Sequence, residues 1–368
     1  REQDIPVYSE IEITSWFIEA PIIAVTGSNG KTTTVNLIHH LLKTAGYDSF
    51  LGGNVGYAAS DVLLESFEIK AAKPVFVLEV SSFQLDNIEY FKPDVAVILN
   101  LTPDHLDRYP SLDAYYSSKI RIFENLDAND VAVINRDDPE LIRRDIVADN
   151  KRFFAVDNQS GGSAMFAEGA LGIMRESGWD PILSAKELPI PGRHNLSNAL
   201  AAIAAIIDFI NEPEVIARGL VTVSAVPHRI EYVGTVNGIL CYNDSKATNI
   251  ASTEVAIRSF IKPMWLILGG KDKGGDFTLL VPGFEEHARE ILLIGDAANL
   301  IETQIGRSTK THKLETIEQA VDYCLKNGEA GDILLLSPAC ASFDQFENFE
   351  ARGDFFRDHI QSQKGWSM

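Results

Sequence analysis

The stretch that most narrows the architecture is Thr26-Gly27-Ser28-Asn29-Gly30-Lys31-Thr32-Thr33. Before it stands the apolar run Ile22 to Val25, which reads as a buried strand. After it Val35, Ile38, Leu41, Leu42 and Ala45 fall on one helical face. A strand, a glycine-bearing loop and a helix in that order build a phosphate cradle. The glycines let the backbone wrap an anion, and the N–H groups at the helix start point inward at it. Lys31 then supplies a point charge for β- and γ-phosphates, and the Thr32 hydroxyl is a candidate Mg²⁺ ligand. One departure matters. The general spacing puts a glycine five positions before Gly30, where this chain has Val25; here Gly27 stands three before Gly30. The shorter loop points to a subset of ATPases.

Similar alternation continues along the chain. Val75 to Val80, Val95 to Leu99 and Val131 to Ile134 read as further strands, and Asn195 to Ile210 as an alanine-rich helix. A second set begins near Val226-Pro227-His228-Arg229, with strands at Ile239 to Tyr242, Trp265 to Leu268, Ile291 to Ile294 and Ile333 to Leu336 and a helix around Ile317 to Leu325. The expected class is α/β: a P-loop-type central domain with a mostly parallel sheet covered on both faces, then a Rossmann-like C-terminal α/β domain. The boundary is expected near residue 227, and 368 residues accommodate two or three domains at about 150 each. Asn158 to Gly178 is rich in Gly and Ser, and reads as a loop or a short β excursion.

Charge excludes several function classes. There are 32 Lys plus Arg against 52 Asp plus Glu, a net charge of -20, and such a surface repels nucleic acid and anionic membranes. Any phosphate site must therefore be local. The run Ala199 to Ile207 falls short of the roughly 20 apolar residues of a membrane span. Cys241, Cys324 and Cys340 are too few and too scattered for a disulfide framework or a CxxC metal site. The expectation is a cytoplasmic monomer with reduced thiols. The start, Arg1-Glu2-Gln3-Asp4, has neither an initiator Met nor a signal peptide, and upstream residues are expected to be missing.

In open α/β sheets ligands bind beyond the carboxyl ends of strands, and polar clusters sit there. Glu79 ends an apolar strand before Ser81-Ser82-Phe83-Gln84. A carboxylate in that setting needs a partner, a Mg²⁺ ion in the preferred reading or else a buried salt bridge. His105, in Asn100-Leu101-Thr102-Pro103-Asp104-His105-Leu106-Asp107, reads as a metal ligand, a phosphate donor or a plain loop residue. Lys119, taken alone, reads as a helix-surface lysine; it ligates a metal only if CO₂ converts its amine to a carbamate. Three later runs also follow strands: Tyr242 to Asn249, Leu268 to Asp276 and Ser337 to Phe346. They carry hydroxyls, glycines and lysines, so one rim of the second sheet is expected to hold an anionic ligand.

At these motifs the chain resembles the Mur ligases. The resemblance rests on Gly27 through Thr33, Gly53-Asn54-Val55-Gly56, Glu79 through Leu85, Asp104 through Tyr109, Asn243 through Asn249 and Ser337 through Phe349, and runs from about residue 20 to the end. The first motif is shared with folylpolyglutamate synthases. The Ser-Ser-Phe-Gln, Asp-Ser-Lys-Ala-Thr-Asn and Ser-Pro-Ala-Cys-Ala-Ser runs resemble the D-glutamate-adding branch. The resemblance implies a preceding uridine-nucleotide-binding domain, of which residues 1–20 look like the tail and linker, a central ATP domain over 21–227 and an amino-acid domain over 228–368.

It also implies roles. Gly27, Ser28, Asn29, Gly30, Lys31, Thr32 and Thr33 would bind ATP, with Thr32 and Glu79 on one Mg²⁺ and His105 and carbamylated Lys119 on a second. Asn54 and Ser81 would lie near the muramoyl-alanine substrate. Asn195 and Asn198 would reach adenine, Asp244 the ribose, and Arg229 and Lys246 the phosphates. Thr248, Lys273, Ser342, Phe343 and Phe349 would hold D-glutamate, Phe349 through its backbone. The implied activity is ATP-dependent amide formation between UDP-N-acetylmuramoyl-L-alanine and D-glutamate in peptidoglycan precursor synthesis. Another ligase of the same fold and an ATP-binding module without ligase activity are the alternatives.

Overall fold

The computed structural model describes residues 6–103, 108–157, 161–190, 192–223, 227–260, 263–306 and 309–368. The chain divides into two compact units, Arg1–Ser224 and Ala225–Met368.

The first unit is built on a sheet of strands β1 (Ile22–Thr26), β2 (Asp48–Gly53), β3 (Pro74–Glu79), β4 (Val95–Ile98), β5 (Val131–Asn135), β6 (Lys151–Ala155), β7 (Ala164–Ala167), β8 (Ala170–Arg175) and β9 (Gly178–Ser184). Their order is β2-β3-β1-β4-β5-β6-β7-β8-β9. Pairing is parallel from β2 to β7, and β8 and β9 add an antiparallel hairpin. Every residue of β1, β4 and β5 is buried, because helices cover both faces of a parallel sheet. Alternation along the strand sorts the side chains. Ile23 and Val25 join a core with the helix Lys31–Thr44 and the helix Arg193–Ile206. Ile22 and Ala24 join the opposite core with Phe76, Tyr115 and Phe123. The alanine run is explained here. Ala199 to Ile206 is buried without exception, and small side chains allow that helix to lie close to its neighbours on every side. The short β excursion within 158–178 is present as β7 and β8; residues 158–160 lie outside the described set.

The segment expected as linker is tied to the first unit. Within the helix Glu10–Ser15, Ile11 and Glu12 are fully buried. The Glu12 carboxylate accepts N–H bonds from Glu89 at 3.1 Å, Tyr90 at 2.8 Å and Phe91 at 2.8 Å, and from the Trp16 indole at 2.9 Å. Glu12→Ala strands those donors, and the expected cost is about 3 kcal/mol. It is read as a lower urea midpoint for the first unit; an unchanged midpoint would show that water takes over the acceptor role.

The second unit has its own sheet: β10 (Glu231–Val236), β11 (Ile239–Asn243), β12 (Met264–Gly269), β13 (Ala288–Ile294), β14 (Thr311–Lys313), β15 (Ile333–Leu336) and β16 (Trp366–Ser367). The order is β14-β13-β12-β15-β11-β10-β16, parallel except where β10 meets β11 and β16. All three cysteines are free and buried. Burial pushes the Cys241 and Cys340 thiols up to about 12 and raises Cys324 as well, so none forms a thiolate readily. Among the described residues no helix is long and apolar enough to cross a membrane.

Candidate active site

The turn after β1 takes a conformation that favours glycine. Gly27 has φ +149° and Gly30 φ +86°. A Cβ on Gly27 would lie 2.9 Å from the Leu99 side chain, and one on Gly30 would overlap the Asn198 Oδ1 atom. The turn is also braced from β4. The Asn29 N–H donates to Asn100 Oδ1 at 2.8 Å, and Asn100 Nδ2 donates back to the Asn29 carbonyl at 3.0 Å. Ser28 Oγ donates to the Thr102 carbonyl at 2.9 Å and accepts the Thr102 N–H at 3.0 Å. Sequence reasoning missed Asn100 and Thr102, although both stand in the run that singled out His105. Residues 104–107, His105 among them, lie outside the described set.

Two cations meet in this turn. Lys31 Nζ donates to the carbonyls of Gly27 at 2.8 Å and Ser28 at 3.0 Å. Lys119 Nζ donates to the same Gly27 carbonyl at 2.9 Å and lies 4.8 Å from the Tyr115 ring centre. Lys119 is 2% exposed, which corrects its reading as a surface lysine. The helix Leu112–Ile120 carries Tyr115, Tyr116, Ser118 and Lys119 all buried, so the residue faces inward. Two ammonium groups on one oxygen lie within about 6 Å of each other, a repulsion of about 3 kcal/mol at an effective dielectric of 20.

Beside the turn, Thr32 Oγ1 donates to Glu79 Oε2 at 2.7 Å, and both residues are buried. Asn54 Nδ2 donates to Glu79 Oε1 at 3.1 Å, and the Asn54 N–H donates to the Glu79 carbonyl at 2.8 Å. Ser81 stands two residues on and caps the helix Ser82–Leu85, its Oγ donating to Gln84 Oε1 at 2.8 Å. The Thr32 hydroxyl, on the helix after β1, and the Glu79 carboxylate, at the end of β3, form an all-oxygen donor set, which suits Mg²⁺. Among the described residues no three His, Cys, Asp or Glu converge. A Mg²⁺ ion needs few protein ligands when substrate phosphates complete its shell. Asn198 Nδ2 donates to Asn195 Oδ1 at 3.2 Å, and both are buried on the helix whose Asn198 touches Gly30. The residues named for ATP in the first unit thus surround one turn.

In the second unit the three strand-end runs do converge. The Gly269 N–H donates to the Pro338 carbonyl at 2.9 Å, and Lys271 and Ala341 exchange backbone bonds at 2.9 and 3.0 Å. Ser337 Oγ donates to Asp244 Oδ2 at 2.7 Å, and the Ile230 N–H to Asp244 Oδ1 at 3.2 Å. Lys246 Nζ lies 5.1 Å from the Phe349 ring centre. Thr248 follows two residues later, its N–H bonded to the Lys246 carbonyl. Ser342 is buried and its carbonyl closes a turn onto Gln345 and Phe346. Phe349 opens the helix Phe349–Gln361, and its carbonyl accepts from Ser245 Oγ at 2.8 Å. Lys273 and Phe343 are exposed, the latter 65%. Sequence reasoning also missed Arg352, buried on the inner face of that helix.

Asp244 is the most perturbed carboxyl here. Burial raises it from 3.8 to about 7, against the pull of the Ser337 hydroxyl and of Arg229. The unfolded chain holds this proton only up to the ordinary value. The stability conferred by native protonation is therefore complete below about pH 4 and is lost as the pH rises to about 7. Asp244→Asn removes the ionisation, so its urea midpoint should hold steadier than that of the unsubstituted chain between about pH 4 and 7. The difference corresponds to no more than about 4 kcal/mol. Parallel midpoint curves for the two proteins would rule this out.

Comparison with known proteins agrees with this geometry. Residues 25–206 match the Mur ligase middle domain, and residues 228–340 match the family described as Mur ligase, glutamate ligase domain. The chain is 41% identical to a UDP-N-acetylmuramoylalanine–D-glutamate ligase of Salinibacter ruber, covering 97% of this chain and 79% of that protein. It is 40% identical to the ligase of the same name from Koribacter versatilis, covering 98% and 79%. Among solved structures, a pseudomurein peptide ligase type C from Methanothermus fervidus superposes with a TM-score of 0.71 at 18% identity, covering 96% of this chain and 80% of that one. MurF ligase from Thermotoga maritima, solved in complex with ADP, gives 0.70 at 19% identity, covering 96% and 83%. These structures share the fold, and the sequence relatives settle the kinship: the chain belongs to the Mur ligase family.

Proposed function

We propose that this chain is an ATP-dependent amide ligase joining D-glutamate to UDP-N-acetylmuramoyl-L-alanine. The observation that carries the ATP half is the meeting of Lys31 and Lys119 on the Gly27 carbonyl beside the Thr32–Glu79 pair. The choice of D-glutamate is supported by the relatives that bear that name and by the three runs shared with that branch.

In this reading Gly27 to Thr33 grip the phosphates, and Lys31 offsets charge on the γ-phosphoryl group as it transfers. Thr32 and Glu79 hold one Mg²⁺, and Lys119, as a carbamate, holds a second with His105. Bound Mg²⁺ supplies charge neutralisation that lets a carboxylate approach a phosphate. The alanine carboxylate attacks the γ-phosphorus, an O–P bond forms, and ADP departs. The amine of D-glutamate then attacks the acyl carbon and loses a proton. Inorganic phosphate leaves as the amide forms. Asn54 and Ser81 orient the muramoyl-alanine end; Asn195, Asn198, Asp244, Arg229 and Lys246 serve the nucleotide. Thr248, Lys273, Ser342, Phe343 and the Phe349 backbone serve the amino acid. The protein works as a cytoplasmic monomer on small molecules.

The test is phosphate release with ATP, Mg²⁺ and UDP-N-acetylmuramoyl-L-alanine against a panel of amino acids. D-Glutamate alone should drive turnover. Turnover with another amino acid overturns the acceptor, and ATP hydrolysis indifferent to amino acids overturns the ligase.

A further inference from the structure

Arg352 is 1% exposed. Its Nε donates to Ser245 Oγ at 2.9 Å, its Nη2 to the Ser245 carbonyl at 2.8 Å and its Nη1 to the Cys340 carbonyl at 3.1 Å. These three acceptors are neutral oxygens. Burial pulls the guanidinium down to about 10, so it stays charged at neutral pH. A buried charge is costly unless geometry or a partner offsets it, and a planar fork is the side chain that aims several donors at once.

The acceptors belong to two of the strand-end runs. Ser245 lies between Asp244 and Lys246, and Cys340 lies two residues before Ser342. The third run also touches the fork. A Cβ on Gly270 would overlap the Ala341 carbonyl and lie 3.2 Å from Arg352 Nη1, so glycine there lets the loop after β12 close on the guanidinium. One cation is packed against all three loops that carry Thr248, Lys273, Ser342 and Phe343, assigned to the amino acid in the ligase reading; the first of them also carries Asp244 and Lys246, assigned to the nucleotide.

We propose that Arg352 is the positioning residue of the amino-acid pocket. Its fork holds the 243–249, 269–273 and 337–346 loops in one arrangement, and its charge biases that pocket toward an acceptor bearing two carboxylates. The bias follows from the low dielectric around a buried cation. This inference rests on the ligase reading.

The test uses Arg352→Met and Arg352→Lys in the whole chain, with ATP, Mg²⁺ and UDP-N-acetylmuramoyl-L-alanine. The methionine variant should raise the KM for D-glutamate by about thirtyfold and the KM for ATP by clearly less, since of the three loops only 243–249 also carries residues assigned to the nucleotide. Lysine should recover part of the loss. An unchanged D-glutamate KM in a folded methionine variant, or a fall in kcat with every KM intact, overturns the proposal. Hydrogen exchange gives a readout without turnover. In Arg352→Lys the three loops should lose protection together while Ile333–Leu336 keeps it, and unchanged protection in any of the loops overturns the proposal. If the unsubstituted chain fails to turn over with D-glutamate, the ligase reading falls, and the exchange pattern still decides whether Arg352 organises the loops.

Discussion

Lys31→Ala should slow phosphate transfer in a single turnover by at least about a hundredfold, a loss of about 3 kcal/mol or more in transition-state stabilisation. Its ammonium does two things that alanine cannot. It holds the Gly27 and Ser28 carbonyls, which keeps the turn curled, and in the proposed reaction it would bring positive charge to where phosphoryl charge moves. Folding should survive, because the turn is also braced by Asn100 and Thr102. Near-normal single-turnover rates in a folded variant would remove Lys31 from the chemistry.

Lys119→Ala should be nearly as severe, and small carboxylates such as formate should restore part of the activity. The Lys119 ammonium first gives up a proton, and the neutral amine then takes up CO₂ and releases a second, leaving a carbamate, so one positive charge becomes negative. Beside Lys31 this turns a repulsion of about 3 kcal/mol into an attraction of similar size. It also converts a buried donor into an oxygen ligand for Mg²⁺. After exposure to ¹³C-labelled CO₂, the unsubstituted protein should show a carbamate carbon signal absent from Lys119→Ala. Activity that neither falls in the variant nor responds to formate would reject the carbamate.

Strands such as β1, β4 and β5 were legible because a strand buried on both faces is an unbroken apolar run. β2 was not, because Asp48, Gly52 and Gly53 break its apolar character. Asp48 spends its carboxylate on the N–H groups of Ala72 and Lys73. The phosphate turn and Glu79 were legible because their chemistry is written in adjacent residues. Lys119 and Arg352 were not. Each acts through partners far along the chain, Gly27 for one and Ser245 for the other, and a helix period alone does not reveal what an inward-facing cation meets. Resemblance supplied Lys119, but only coordinates reveal Arg352.

The contact between Gly30 and Asn198 has an evolutionary corollary. In the ligase reading, the turn assigned to the triphosphate and the residue assigned to the purine lie side by side, with no room for a Cβ at Gly30. A side chain at Gly30 would displace the Asn198 amide. Under those assignments, a substitution at Gly30 that altered the phosphate grip would disturb purine recognition in the same step.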